Sequence, residues 1–177
     1  MAMTSEVPVS AGTATHTAIG SGLGDLTVVA RGGSVTGLYF PHHWHMPDRT
    51  VFGPYRDAGF EDVRRQLGEY LAGERRAFDV PVETAGSLFQ ERVWRFLRQI
   101  PYGTTVSYGD LARELGGGVT AQEVGAAVGR NPVSIIVPCH RVVGADGGLT
   151  GYAGGLRRKR SLLDLEQDVA GRSARLF

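Results

Sequence analysis

Cysteine is almost missing from this chain: one residue in 177, Cys139. That excludes an internal disulfide and a cysteine-rich metal centre. Long apolar runs are missing too, since none approaches the roughly 18 residues of a membrane span. Met1 to Thr15 lacks the basic start and apolar core of a secretory signal and is expected to be a disordered lead. A lone thiol without a signal predicts a reducing, cytoplasmic setting. There is no internal repeat and no low-complexity block. The remainder, 42% hydrophobic with 8% aromatic, suffices for a sizeable core in one medium domain or two small ones.

Charge divides unevenly along the chain. Residues 1–85 carry 7 Lys/Arg against 10 Asp/Glu, whereas 86–177 carry 12 against 8. A basic half beside an acidic one points weakly to an anionic partner such as nucleic acid. On charge alone, an ordinary solvated surface is the stronger reading.

The first half opens with alternating strands at Thr15–Ile19, Asp25–Ala30 and Ser34–Phe40, separated by glycine turns, which predicts an antiparallel meander. His42, His43 and His45 flank Trp44 in a spacing that matches no compact metal motif, so a mobile loop is expected. Phe60, Val63, Leu67, Tyr70 and Leu71 share one helix face, ended by Gly73. Asp79–Ala85 reads as a linker. The second half is helical. Ser87 with Gln90 and Thr120 with Glu123 form capping boxes, and Ser107 with Asp110 is a looser version of the same signal. The helices from Ser107 to Leu115 and from Thr120 to Gly129, joined at Gly116–Gly118, make a helix-turn-helix candidate. Asn131-Pro132 breaks the second, and Ser134–Val137 is an apolar, strand-like run delivering Cys139. A basic turn at Arg157–Arg160 then opens an amphipathic helix to Glu166.

Two readings of Cys139 stand open on its segment alone: a small buried hydrophobe or a nucleophile. A thiol attacks as thiolate, so the second reading needs a base, and His140 is adjacent with Glu166 downstream to orient it. Neighbouring side chains on extended backbone point apart. The pairing therefore requires a turn at Cys139 or a bridging water.

The frame around the thiol resembles the O6-alkylguanine-DNA alkyltransferases, the methylated-DNA–protein-cysteine methyltransferases. The resemblance rests on Phe89-Gln90 with Val93-Trp94, Ile100 to Tyr108, Arg130-Asn131-Pro132-Val133, Pro138-Cys139-His140-Arg141-Val142, and Gly151-Tyr152 with Gly154-Gly155-Leu156. It is nearly unbroken from Leu88 to Glu166, and the meander and first helix look like the family's variable first domain. It implies an α/β (α+β) chain: an N-terminal sheet-plus-helix domain over 1–85 and a helical, DNA-binding, alkyl-acceptor domain over 86–177. Cys139 would take the alkyl group from O6 of a flipped-out guanine in one irreversible turnover. His140 would act as base through a water, Glu166 would orient it, and Asn131 would brace the turn carrying the thiol. Tyr108 would donate toward N3 of the leaving guanine. Backbone at Cys139, Val142 and Ala153 would read the base edge, with Tyr152 shaping the pocket.

The implied partner is duplex DNA carrying O6-alkylguanine, bound by a monomer without cofactor or metal. Thr120, Ala121, Gln122, Arg130 and Arg141 would face the DNA. One departure stands out. Gln122 occupies the place of the family's arginine finger, followed by Glu123 where a small residue is usual, which predicts weaker and more salt-sensitive DNA engagement. Glu123 also serves the Thr120 capping box. Trp94 and Phe89 are expected in the core, and Lys159, common in the family, near the active-site helix. Two alternatives remain: a non-enzymatic binder of alkylated DNA, which the presence of Cys139 opposes, and a cysteine hydrolase, for which no motif speaks.

Overall fold

Alternation and capping carry over directly into the computed structural model, which describes residues 12–174. The first eleven residues of the expected lead lie outside the described residues. The rest of that stretch is already part of the fold, for Ala14 is buried and Thr15 begins the first strand. Strands β1 (Thr15–Ile19), β2 (Leu26–Arg31) and β3 (Ser34–Tyr39) form an antiparallel sheet in sequential order, with an irregularity at Val29/Ala30. Helix α1 (Glu61–Leu71) packs Val63, Leu67 and Tyr70 inward.

The edge of β3 is not left bare. Val35 N–H donates to Pro81 O at 2.8 Å, and Glu83 N–H donates back to Val35 O at 3.0 Å. The stretch expected as a linker is therefore an edge pairing. Further along, Leu38 N–H donates to Pro132 O at 2.9 Å and Ser134 N–H to Leu38 O at 3.2 Å. These bonds satisfy groups that an open edge would expose. They also bring the chain before Cys139 against the sheet.

In the second half, α2 (Leu88–Leu97), α3 (Tyr108–Leu115) and α4 (Ala121–Gly129) each begin with a reciprocal capping box, at Ser87/Gln90, Ser107/Asp110 and Thr120/Glu123. Gly116, Gly117 and Gly118 all take positive φ, which lets α3 turn sharply into α4. Trp94 is buried on α2 and its indole N–H donates to Ala127 O at 2.8 Å, tying α2 to α4, while Phe89 is half-buried against the same core. The short strands β4 (Val106–Ser107) and β5 (Val142–Val143) pair in parallel. Helix α5 (Leu156–Ala174) runs beyond Glu166. One apolar core joins Val28, Leu38 and Phe60 to Leu97, Val124 and Leu162, so the halves share their interior. Among the described residues no helix is long and apolar enough to cross a membrane.

The apolar run Ser134–Val137 is not a strand. It is a turn in which Ile135 takes φ 69°, and the cause lies in Asn131. Its side-chain oxygen accepts from Val133 N–H at 3.0 Å and its amide donates to Val137 O at 2.9 Å. A buried Asn that bonds its own backbone this way replaces strand pairing with a turn.

Candidate active site

Cys139 follows that turn as the first residue of a 3-10 turn, Cys139–Arg141, with its N–H donating to Val137 O at 2.8 Å. Three residues per turn send successive side chains about 120° apart. Cys139 accordingly lines a cleft, while His140 and Arg141 point inward to Glu166 on α5. The turn that the thiol–base reading requires is present.

Glu166 is fully buried and heavily bonded. Its Oε1 lies 2.9 Å from His140 Nε2 and accepts from Tyr70 OH at 2.7 Å and from Arg141 Nη2 at 2.8 Å. Its Oε2 accepts from Arg141 Nε at 2.9 Å and from Gly103 N–H at 3.0 Å. Gly103 reaches the carboxylate because it has φ 76° and no side chain, where a Cβ would stand 2.9 Å from Ala170 Cβ. Burial alone would raise the Glu166 pKa, but the hydrogen bonds and charges of His140 and Arg141 outweigh it and hold the carboxyl well below its usual range. Burial also pushes His140 down, against the pull of Glu166, so the imidazole is neutral near pH 7. Its Nδ1 is buried with no hydrogen-bond partner among the described residues. The Cys139 thiol is pushed up by burial, with Asn131 and the Lys159 charge acting the other way. The thiol and the neutral imidazole belong to adjacent residues whose side chains diverge, so general-base activation between them needs a bridging water.

Lys159 is the chain's single lysine, and it is fully buried. It donates to Tyr108 OH at 3.4 Å and to Thr150 O and Gly151 O at 3.3 Å. Its ammonium lies 5.7 Å from the Tyr108 ring centroid and 6.0 Å from that of Tyr152. Burial lowers its pKa to about 8, with Cys139 pulling the other way. Tyr108 OH donates to Thr150 O at 3.1 Å, which fixes its hydroxyl at the cleft.

The cleft has a volume of about 940 Å³. It brings together Cys139, Asn131, Tyr108, Tyr152, Ala153 and Gln122, with Ala121 beside the last. Thr120 and Arg130 are exposed at the two ends of α4, outside the lining, and Val142 is buried behind it. Arg141 requires a correction. Its side chain is buried, and it bonds Glu166 and, at 2.6 Å, Ile100 O, so it faces the interior instead of DNA. The histidine segment also differs from the mobile loop expected. Trp44 N–H donates to Ala153 O at 2.9 Å, and His43 is buried against Tyr39 and Phe40. His42, Trp44 and His45 line the cleft rim. Of the basic turn, Arg157 and Arg160 are exposed, whereas Arg158 donates to Leu23 O, Pro41 O and Gly154 O and clamps the halves together.

Sequence reasoning missed Tyr70 as part of the site, having assigned it to a helix's apolar face. A clue existed, because a buried tyrosine hydroxyl usually has a partner.

Fold and site together define a class: a cysteine-bearing cleft beside a helix-turn-helix, with a buried His–Glu pair adjoining the cysteine in sequence. Comparison with known proteins is specific. Residues 88–168 match the 6-O-methylguanine DNA methyltransferase, DNA binding domain, and 15–84 match the ribonuclease-like domain of the same family. The chain belongs to the 6-O-methylguanine DNA methyltransferase family. It is 46% identical over 159 residues to the methylated-DNA–protein-cysteine methyltransferase of Mycobacterium tuberculosis, covering 90% of this chain and 96% of the relative. The inducible enzyme of that name from Bacillus subtilis is 50% identical over 111 residues, 63% of this chain and 62% of the relative. The crystal structure of Mycobacterium tuberculosis OGT in complex with DNA superposes with a TM-score of 0.81 at 46% identity, covering 88% of this chain and 94% of that one.

Proposed function

We propose that this protein repairs alkylated DNA by direct reversal, as a methylated-DNA–protein-cysteine methyltransferase acting once per molecule. The observation that carries the reading is Cys139 in a cleft whose wall includes Ala121 and Gln122 at the start of α4. A guanine turned out of the duplex, at a cost of about a few kcal/mol, enters that cleft. His140 Nδ1 takes the thiol proton through a water, and Glu166 stabilises the imidazolium. The sulfur attacks the alkyl carbon, a C–S bond forms, and the C–O6 bond breaks with its electron pair remaining on guanine. Tyr108 hydrogen-bonds the purine at N3 as charge develops there, and backbone at Cys139, Val142 and Ala153 reads the base edge. The thioether has no route back, so one molecule repairs one lesion.

The protein works as a monomer on duplex DNA, in the reducing cytoplasm where a lone thiol stays free. The chain divides between residues 85 and 86 into a sheet-plus-helix domain and a DNA-binding, alkyl-acceptor domain. Incubation with a duplex containing O6-methylguanine is expected to add the mass of one methyl group, located on Cys139 by peptide mass. Binding without mass gain would support the non-enzymatic alternative and overturn this reading.

Gln122 is exposed on the α4 start and lines the cleft, so a charge placed there meets the DNA. Gln122→Arg is expected to tighten duplex binding and to steepen the salt dependence of log K by about 1, so that Gln122 makes for weaker but less salt-sensitive binding, the reverse of the salt response expected from the sequence. Glu123 is engaged locally, its Oε2 accepting from Thr120 N–H at 2.8 Å, and it stays as it is. An unchanged affinity, salt slope and repair rate would refute a weakened finger at Gln122.

A further inference from the structure

Tyr70 reaches the site from the first half of the chain, and the reaction as described makes no use of it. It stands near the end of α1, fully buried, with its ring 5.2 Å from Phe78 and 6.0 Å from Tyr102, edge-on to the latter. Its hydroxyl completes a triangle. It donates to Glu166 Oε1 at 2.7 Å, the same oxygen lies 2.9 Å from His140 Nε2, and Tyr70 OH itself is 3.3 Å from that nitrogen. Burial, and then the Glu166 charge, hold the phenol proton in place, so the hydroxyl is a permanent donor to the carboxylate. With that proton committed, the Tyr70 oxygen can only accept from its other neighbour. His140 Nε2 therefore faces two acceptors and no donor, which places hydrogen on Nε2 and leaves Nδ1 bare.

We infer that Tyr70 is a positioning residue for the alkyl transfer: it pins the His140 imidazole as the Nε2–H tautomer, so that Nδ1 is the atom that receives the Cys139 proton. The inference rests on the acceptor reading of Cys139. The proton moves from sulfur to Nδ1, the C–S bond forms, and the C–O6 pair leaves with guanine. Tyr70 keeps its own proton throughout. The sheet-and-helix half is then a component of the chemistry, because it supplies a hydroxyl that the helical half lacks at this point.

Single-turnover methyl transfer by the full chain tests this. Tyr70→Phe retains the ring and removes only the hydroxyl. Its transfer rate near pH 7 is expected to fall about tenfold, part of the roughly 10²–10⁴ that a positioned base contributes. The deficit should close as pH rises toward ionisation of the thiol, where the base is no longer needed. Tyr102→Phe is the control. Its hydroxyl is also buried, without a hydrogen-bond partner among the described residues, and its loss should leave rate and pH profile unchanged. A Tyr70→Phe rate that is unaltered, or reduced equally at every pH, overturns the inference. Should that variant not fold, the imidazole ¹⁵N shifts of His140 in the unaltered protein decide: Nε2–H supports the inference, and Nδ1–H overturns it. An unaltered protein that transfers no methyl group would overturn the acceptor reading of Cys139 as well, so the two failures are distinct.

Discussion

Glu166→Gln is expected to destabilise the protein by about 3–5 kcal/mol, the usual cost of removing one partner from a buried ion pair. For a chain of this length that lowers the melting temperature by roughly 6–20 °C. The cause is specific. Arg141 would keep a buried guanidinium without its counter-charge, and the new amide would present donors to a site already filled with them. Methyl transfer should fall by about 10²–10⁴ as well, since His140 loses the charge that stabilises its protonated form. Thermal unfolding and single-turnover rates check both, and an unaltered melting temperature would contradict the ion-pair account.

The same cluster sets the acid limit of the fold. Glu166 is held below its ordinary 4.5 in the folded state, so its contribution is fully present above that pH and is lost as pH falls toward the folded value. His140 and His43 are also held below 6.5, His43 at about 4 through burial, then His45 and Arg158. The unfolded chain therefore takes up these protons first, and stability begins to fall below about pH 6.5. Denaturation midpoints should be level from about pH 6.5 to about 8, where the folded state begins to release the Lys159 proton, and decline in two stages below pH 6.5. In Glu166→Gln the lower stage should shrink.

The second large effect is at the acceptor. Cys139→Ser should abolish methyl transfer while leaving the fold and duplex binding in place. A hydroxyl is far less acidic than a thiol, and a neutral His140 of lowered basicity cannot ionise it. The Cys139 side chain is buried within the cleft, whereas Ala121 and Gln122 are exposed at the start of α4, so duplex binding is expected not to need the sulfur. Intact mass after exposure to O6-methylguanine duplex, together with a binding isotherm, separates the two roles. Methyl gain by the variant would place the acceptor elsewhere. Loss of binding would mean that the thiol shapes the cleft.

Features coded by near neighbours were legible from sequence alone. The capping boxes at Ser87/Gln90 and Thr120/Glu123 need only residues three apart, and the alternation of β1 to β3 needs only a period of two. Features depending on a distant partner were not. Ser134–Val137 has the composition of a strand, yet Asn131 withdraws its backbone into a turn. Asp79–Ala85 looked idle because the edge it meets, at Val35, lies 47 residues upstream of Val82. Arg141 looked like a surface charge because the carboxylate that buries it is 25 residues away. Of the site itself, Cys139, His140, Asn131 and Glu166 stood out through the motif surrounding them. Tyr70 carried no such marker, being an aromatic on an apolar helix face like many others.

Glu166, on α5, gathers bonds from three other pieces of chain: Tyr70 near the end of α1, the turn at Gly103, and the His140–Arg141 pair. That geometry has a consequence for biosynthesis. On a ribosome Tyr70, Gly103 and the His140–Arg141 pair emerge before Glu166, because α5 follows them in the chain. Until it docks, neither His140 nor Arg141 has its counter-charge, and Cys139 is an ordinary thiol. A protein limited to one reaction in its lifetime thus becomes reactive only once α5 has been made and has docked.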